Sequence, residues 1–164
     1  MPAVSDTSPI LGLASIGQLE LLHDQFGAVF IPRAVLAELR TDTDFRGTSV
    51  IRDALQSRWL EAREVKNIPL VQALAMELDN GEAEALALAT DLGIEIIVMD
   101  EHDGRIRARA MGLKTVGVIG ILLRAKKEGK IQSLQDVLQS LREQIGFFIS
   151  DELFQKILRE AGER

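Results

Sequence analysis

Apolar positions along this chain follow two rhythms. Short, nearly continuous apolar runs alternate with longer stretches in which apolar residues return every three or four positions. The first rhythm marks strands covered on both faces; the second marks helices with one face against a core. Their alternation predicts an α/β fold of three layers, with a central parallel sheet flanked by helices.

Residues 3–5 predict a short first strand. Ser8-Pro9 reads as an N-cap followed by proline in the first helical turn. Gly17 breaks that helix, and another turn or two follows over 18–25. Residues 28–31 read as the second strand. Pro32 then opens a helix to about residue 40, since its missing N–H is no loss there. The polar stretch 41–48 is expected as a loop, followed by a helix to about 56, an extended piece over 59–65 and a helix over 69–77. Asp79-Asn80-Gly81 is a turn signal. Residues 82–92, rich in alanine and leucine, predict a strong helix closed by Gly93. Residues 94–99 are the clearest strand. Helices are expected over 103–111, 119–128, 134–143 and 151–160, with a strand at 114–116 and an extended piece at 147–149. Ser133 and Asp136 have capping-box spacing. Residues 1–130 are expected to form one α/β domain, and 131–164 a C-terminal helical extension packed on it.

Four acids fall where these elements begin or end: Asp6, Glu38, Glu82 and Asp100. In open parallel sheets, ligands sit outside the carboxyl ends of the strands, so Asp6 and Asp100 are expected to face one another there. Carboxylates with no cysteine and only two histidines suit a hard cation such as Mg²⁺ or Mn²⁺, and such sites commonly handle phosphate esters. Each acid also has a plain structural reading. Asp6 suits an Asx-turn or helix cap. Glu38 suits an exposed helix face. Glu82 completes a capping box with Asp79. Asp100, directly after a buried strand, needs a partner or solvent. Glu84 is an alternative ligand to Glu82, and Asp103 is either a further metal contact or a helix cap.

The chain has 164 residues and a formal net charge of −6, which at first sight disfavours nucleic acid. The distribution changes that picture. Residues 1–100 hold 7 Lys+Arg against 16 Asp+Glu, whereas 101–130 hold 8 against 3. A basic segment directly after Asp100 suits phosphate on the surface beside a metal. Arg105, Arg109, Lys126 and Lys127 are the candidate phosphate contacts; Arg107 lies on a different helix face from Arg105 and Arg109. A solvated helix face is the competing reading for each. Zero cysteine fits a reducing cytoplasm, no apolar run reaches the length of a membrane span, and Met1-Pro2-Ala3-Val4-Ser5 lacks the regions of a signal peptide.

Ser5-Asp6-Thr7-Ser8-Pro9, the helix carrying Val35, Glu38 and Leu39, Gly81-Glu82-Ala83-Glu84-Ala85, and Val98-Met99-Asp100-Glu101 together resemble a PIN domain. Gly112-Leu113-Lys114 and Ile119-Gly120-Ile121-Leu122-Leu123 fit the same pattern, and the likeness is strongest to small prokaryotic members related to VapC-type toxins. The resemblance runs over about residues 3–130. It implies RNA cleavage with Mg²⁺ or Mn²⁺, with Asp6, Glu38, Glu82 and Asp100 as the catalytic acids and Asp103 as an additional acid. Glu82 stands where the family usually has Asp. The resemblance further implies a homodimer restrained by a small antitoxin. A catalytically degenerate PIN-fold binding or regulatory module is the alternative. A receiver-like phospho-acceptor domain and a dinucleotide-binding domain rank lower, because Asp6 is not part of an acidic pair and no G-x-G-x-x-G follows the first strand.

Overall fold

The computed structural model describes residues 1–145 and 147–163. Five parallel strands form one sheet in the order β3-β2-β1-β4-β5: β1 Ala3–Ser5, β2 Val29–Pro32, β3 Leu60–Arg63, β4 Ile96–Val98 and β5 Lys114–Val116. The chain runs outward from β1 to β3, returns to the centre as β4, and finishes at the other edge. Between and after the strands lie ten helices among the described residues: α1 Thr7–Ser15, α2 Glu20–Phe26, α3 Arg33–Leu39, α4 Thr48–Gln56, α5 Ile68–Leu74, α6 Asn80–Leu92, α7 His102–Ala110, α8 Val118–Lys127, α9 Leu134–Ile145 and α10 Asp151–Glu160.

Strand side chains alternate between faces, so each strand feeds two cores. Ala3, Val29, Ile31 and Val98 pack on one face with α1, α2, α4, α8, α9 and α10. Val4 and Ile97 pack on the other with α5, α6 and α7. Both faces being covered explains why the β1 and β4 runs are apolar without alternation. Ile97 and Val98 have no exposed surface, and burying each contributes about 1.5–3 kcal/mol.

Several boundaries differ from the sequence reading for identifiable reasons. α1 starts at Thr7, and its cap is Asp6 rather than Ser8. β4 begins at Ile96 because Ile94 completes the terminator of α6. Gly93 is left-handed at φ 66°, its N–H bonds Thr90 O, and the Ile94 N–H bonds Ala89 O, the reciprocal pair of a Schellman motif. Residues 147–149 form no strand; Ile149 is buried in the first core and the Arg142 guanidinium donates to its carbonyl. The C-terminal segment is tied down by Glu163. Its carboxylate accepts from the N–H groups of Leu134 and Gln135 and pairs with Lys126 at 2.9 Å. An acid from the far end of the chain thus caps α9 and also anchors α8. Ser133 adds half of the expected box, accepting from the Asp136 N–H at 3.2 Å.

Candidate metal centre at the carboxyl edge of the sheet

β1 and β4 are hydrogen-bonded neighbours, with Ser5 in register with Val98 and the Asp6 N–H bonded to Val98 O at 3.0 Å. Asp6 follows β1 by one residue and so lies on the Val4 side of the sheet, over α6. Its Oδ1 accepts the Thr7 N–H at 2.7 Å, which fixes the carboxylate at the head of α1. The neighbouring Thr7 Oγ1 donates to Glu38 Oε2 at 2.7 Å. Two adjacent residues therefore place one acid and hold a second, which reaches over from α3.

Glu82 arrives from the first turn of α6. Asp79 and Glu82 form a capping box: the Glu82 N–H bonds Asp79 Oδ1 at 2.8 Å and the Asp79 N–H bonds Glu82 Oε1 at 3.3 Å. The cap and the candidate ligand are thus one structure. Two glycines make room for the carboxylates. A Cβ on Gly81 would lie 2.8 Å from Glu38 Oε1, and one on Gly104 would lie 2.9 Å from Glu82 Oε2.

Asp6 and Glu82 are 4 % and 7 % exposed, a severe environment for carboxylates. Burial drives the Asp6 carboxyl up to about 7; the Thr7 N–H opposes this, and the charges of Asp79, Glu38 and Glu101 add to it. Burial also raises Glu82 to about 7, helped by its hydrogen bond with Asp79 and by the charges of Asp79 and Asp6. Asp6, Glu38, Asp79, Glu82 and Glu101 therefore share one electrostatic neighbourhood. Asp79 and Glu101 were not singled out from the sequence. Asp79 was visible only as a cap, and Glu101 only as the residue after Asp100.

Asp100 lies on the other side of the sheet edge. Two residues beyond Val98, it shares that residue's face, and its Oδ1 accepts the Val118 N–H at the start of α8 at 3.0 Å. Its Oδ2 is buried without a hydrogen-bond partner. Burial raises its pKa, against the Val118 N–H and the Arg105 charge, and the Glu101 charge adds to the rise. Gly117 provides the space here, since a Cβ would lie 2.7 Å from both Asp100 Oδ1 and Arg105 Nη1. Asp6 and Asp100 thus stand at the ends of neighbouring strands, with Asp100 held against the start of α8.

The remaining candidates divide the same way. Glu84 is turned toward α3, where its Oε1 accepts the Ala34 N–H at 3.2 Å. Asp103 is exposed on the first turn of α7 and lines a hollow of about 390 Å³ with Glu77, Leu78 and Arg107. Arg105 donates to Met99 O at 3.1 Å, and Arg107 pairs with Glu77. Lys126 holds Glu163. Arg109 and Lys127 are exposed near the C-terminal ends of α7 and α8, where positive charge suits the helix dipole.

Among the described residues, no three acidic or histidine side chains already form a group able to hold a metal ion. The donor chemistry nevertheless fits one. The charged side chains that act on Asp6 are all carboxylates, Asp6 and Glu82 are buried with carboxyls raised to about 7, and Gly81 and Gly104 leave room for Glu38 and Glu82. Such a set suits a small hard cation.

An open parallel sheet with acids gathered at its carboxyl edge defines the class of molecule. Comparison with known families makes it specific: a PIN-domain model matches residues 2–163. The chain belongs to the PIN-domain family, whose members are generally nucleases and typically use divalent metals. The match includes α9 and α10. No curated protein and no solved structure matches the chain. No helix among the described residues is long and apolar enough to cross a membrane.

Proposed function

We propose that this protein is an Mg²⁺- or Mn²⁺-dependent endoribonuclease that hydrolyses RNA phosphodiester bonds at the Asp6 cluster. One observation carries the reading: five acids from four separate segments share a neighbourhood, and two of them, Asp6 and Glu82, are buried there, which together with the neighbouring negative charges raises both carboxyls to about 7. A self-repelling group of this kind is relieved by a divalent cation. Asp6 and Glu82 would hold the ion, with Glu38 or Glu101 rotating in from the exposed side. When bound, the ion supplies an activated water and a clamp on the phosphoryl oxygens. Asp6 contributes a fixed oxygen because the Thr7 N–H holds it, and Thr7 keeps Glu38 at hand. Asp100 positions the opposite lip by anchoring α8 and facing Arg105. Arg109 and Lys127 guide the RNA backbone, so binding weakens as salt rises.

The likeness to VapC-related proteins supports assigning the chain to the toxin half of a toxin–antitoxin pair, acting in the cytoplasm as a homodimer restrained by a small antitoxin. A second reading is a PIN-fold binding or regulatory module without catalysis. It is favoured by Asp100 being held by the Val118 N–H beside Arg105 and by the open arrangement of the acids.

Calorimetric titration of Mn²⁺ into wild type, Asp6→Asn and Glu82→Gln separates the two. The nuclease reading expects binding to wild type, affinity weaker by about tenfold or more in both variants, and parallel loss of Mn²⁺-dependent cleavage of a labelled single-stranded RNA. Absence of both heat and cleavage in wild type would select the binding module.

A further inference from the structure

Beside the acid cluster lies a second feature that the cluster does not use. A cleft of about 540 Å³ opens between α1, α3 and the loop that follows α3. Thr7 and Glu38 form the wall it shares with the acids; Arg40, Phe45, Arg46 and Gln144 form the rest of its rim. Phe45 is 53 % exposed, in a chain with only 4 % aromatic residues. The Arg40 guanidinium stands 6.0 Å from the centre of its ring.

The loop holding this ring is braced on every side. The Phe45 N–H donates to Thr48 Oγ1 at 2.9 Å, and Thr48 is itself buried. Arg46 Nε donates to Ser15 O at 2.7 Å. Arg52 donates to the carbonyls of Thr41 and Thr43 and pairs with Asp44. Gly47 is left-handed at φ 89° and presses against α1, where a Cβ would lie 2.7 Å from the Ala14 carbonyl carbon. Arg40 occupies a left-handed position at the end of α3, φ 51° and ψ 53°, where glycine or asparagine is usual. A bulky cation kept in that conformation, over an exposed ring held by a pinned loop, is a prepared surface.

We infer that this cleft is a nucleotide subsite in which an unpaired base stacks on Phe45 while Arg40 contacts the adjoining phosphate. The inference rests on the nuclease reading and assigns to Phe45 and Arg40 the holding of the strand beside the acids. Every base offers a π face, so stacking on one aromatic ring tolerates sequence but demands an unpaired base. Planar guanidinium groups suit both ring faces and phosphate. The wall shared with Glu38 places a bound nucleotide next to the acids, so the stacked base fixes which bond of the strand reaches them. The cleft's size is in the range of small-ligand pockets. Gln144 at its rim comes from α9, which gives the C-terminal segment a part in the subsite.

The test uses the full chain carrying Asp6→Asn, so that RNA stays intact and the asparagine still caps α1. The probe is a fluorescein-labelled, mixed-sequence single-stranded RNA, with the same sequence as a duplex for comparison. Phe45→Ala should weaken single-strand binding about tenfold and leave duplex binding unchanged. Phe45→Trp should retain it. Arg40→Gly should also weaken it, with a melting temperature equal to or above that of the parent, which separates lost contact from lost structure. Equal single-strand affinity for the parent and Phe45→Ala would overturn the subsite and leave the cleft to another occupant, such as a peptide. Cleavage by the Asp6 protein, measured alongside, reports separately on the nuclease reading. Cleavage retained with Phe45→Ala indistinguishable from wild type would sink the subsite alone.

Discussion

Asp6 and Asp100 invite comparison because their sequence settings are nearly the same. Each follows a short apolar strand, and the two strands are adjacent and parallel. Their surroundings are nevertheless opposite. Asp6 lies one residue beyond the Ser5–Val98 register and turns toward α6, among Glu38, Asp79, Glu82 and Glu101. Asp100 lies two beyond it and turns toward α8, where an N–H group and an arginine meet it. A single step of strand parity exchanges an all-acidic neighbourhood for a largely compensating one. Burial raises both carboxyls; three acids add to the rise at Asp6, whereas at Asp100 Glu101 alone adds to it and Arg105 opposes it. Position at a sheet edge identifies candidate acids; parity decides which of them share a neighbourhood.

The largest expected effect tests that division directly. Asp6→Asn should lower Mn²⁺-dependent RNA cleavage on the order of 100-fold, while Asp100→Asn should keep Mn²⁺ affinity within about threefold of wild type, as a residue acting through α8 would. Equal loss of Mn²⁺ affinity in both variants, read by calorimetry, would reunite the two acids in one site.

A smaller effect is expected from pH. Unfolded carboxyls release their protons near pH 4, whereas folded Asp6 and Glu82 hold theirs to about 7. Between those values the folded chain binds more protons, so stability falls as pH rises. In EDTA, the melting temperature should drop by several degrees from pH 4.5 to 7.5, and Asp6→Asn should drop less. Mn²⁺ should recover most of the loss at pH 7.5. A flat metal-free profile would remove the electrostatic basis of the comparison.

The smallest effect concerns Glu84, which neighbours Glu82 in sequence but not in direction. Glu84→Ala frees the Ala34 N–H at the head of α3, at a cost of about 1 kcal/mol. Urea denaturation should register that loss while Mn²⁺ affinity stays unchanged. Weakened Mn²⁺ binding would make Glu84 a ligand after all.

Much of the fold was legible because its signals are local. Continuous apolar runs marked β1, β2 and β4, Gly93 closed α6, and proline opened α3. The misreadings were local competitions resolved by neighbours. Ser8 and Asp6 could each cap α1, and the register with Val98 places Asp6 there. Ile94 could continue a strand or finish a helix, and the left-handed Gly93 drew it into the helix end. At the site, Asp6, Glu38 and Glu82 were readable as acids at element ends. Asp79 was hidden behind its capping role, and Glu101 behind the more conspicuous Asp100. Lys126 was readable as a basic residue; its pairing with Glu163 joins segments far apart in the chain.

The sequence by itself determined the order of strands and helices, the supply of oxygen donors and the lack of thiolate ones, because these depend on residue identity and on neighbours within a few positions. Only the tertiary structure decided which carboxylates meet, which cations are engaged elsewhere, and that Phe45 stands beside Glu38. Those outcomes depend on strand register, on parity along each strand and on the distance between segments remote in sequence, and none of these is set until the sheet has closed around its two cores.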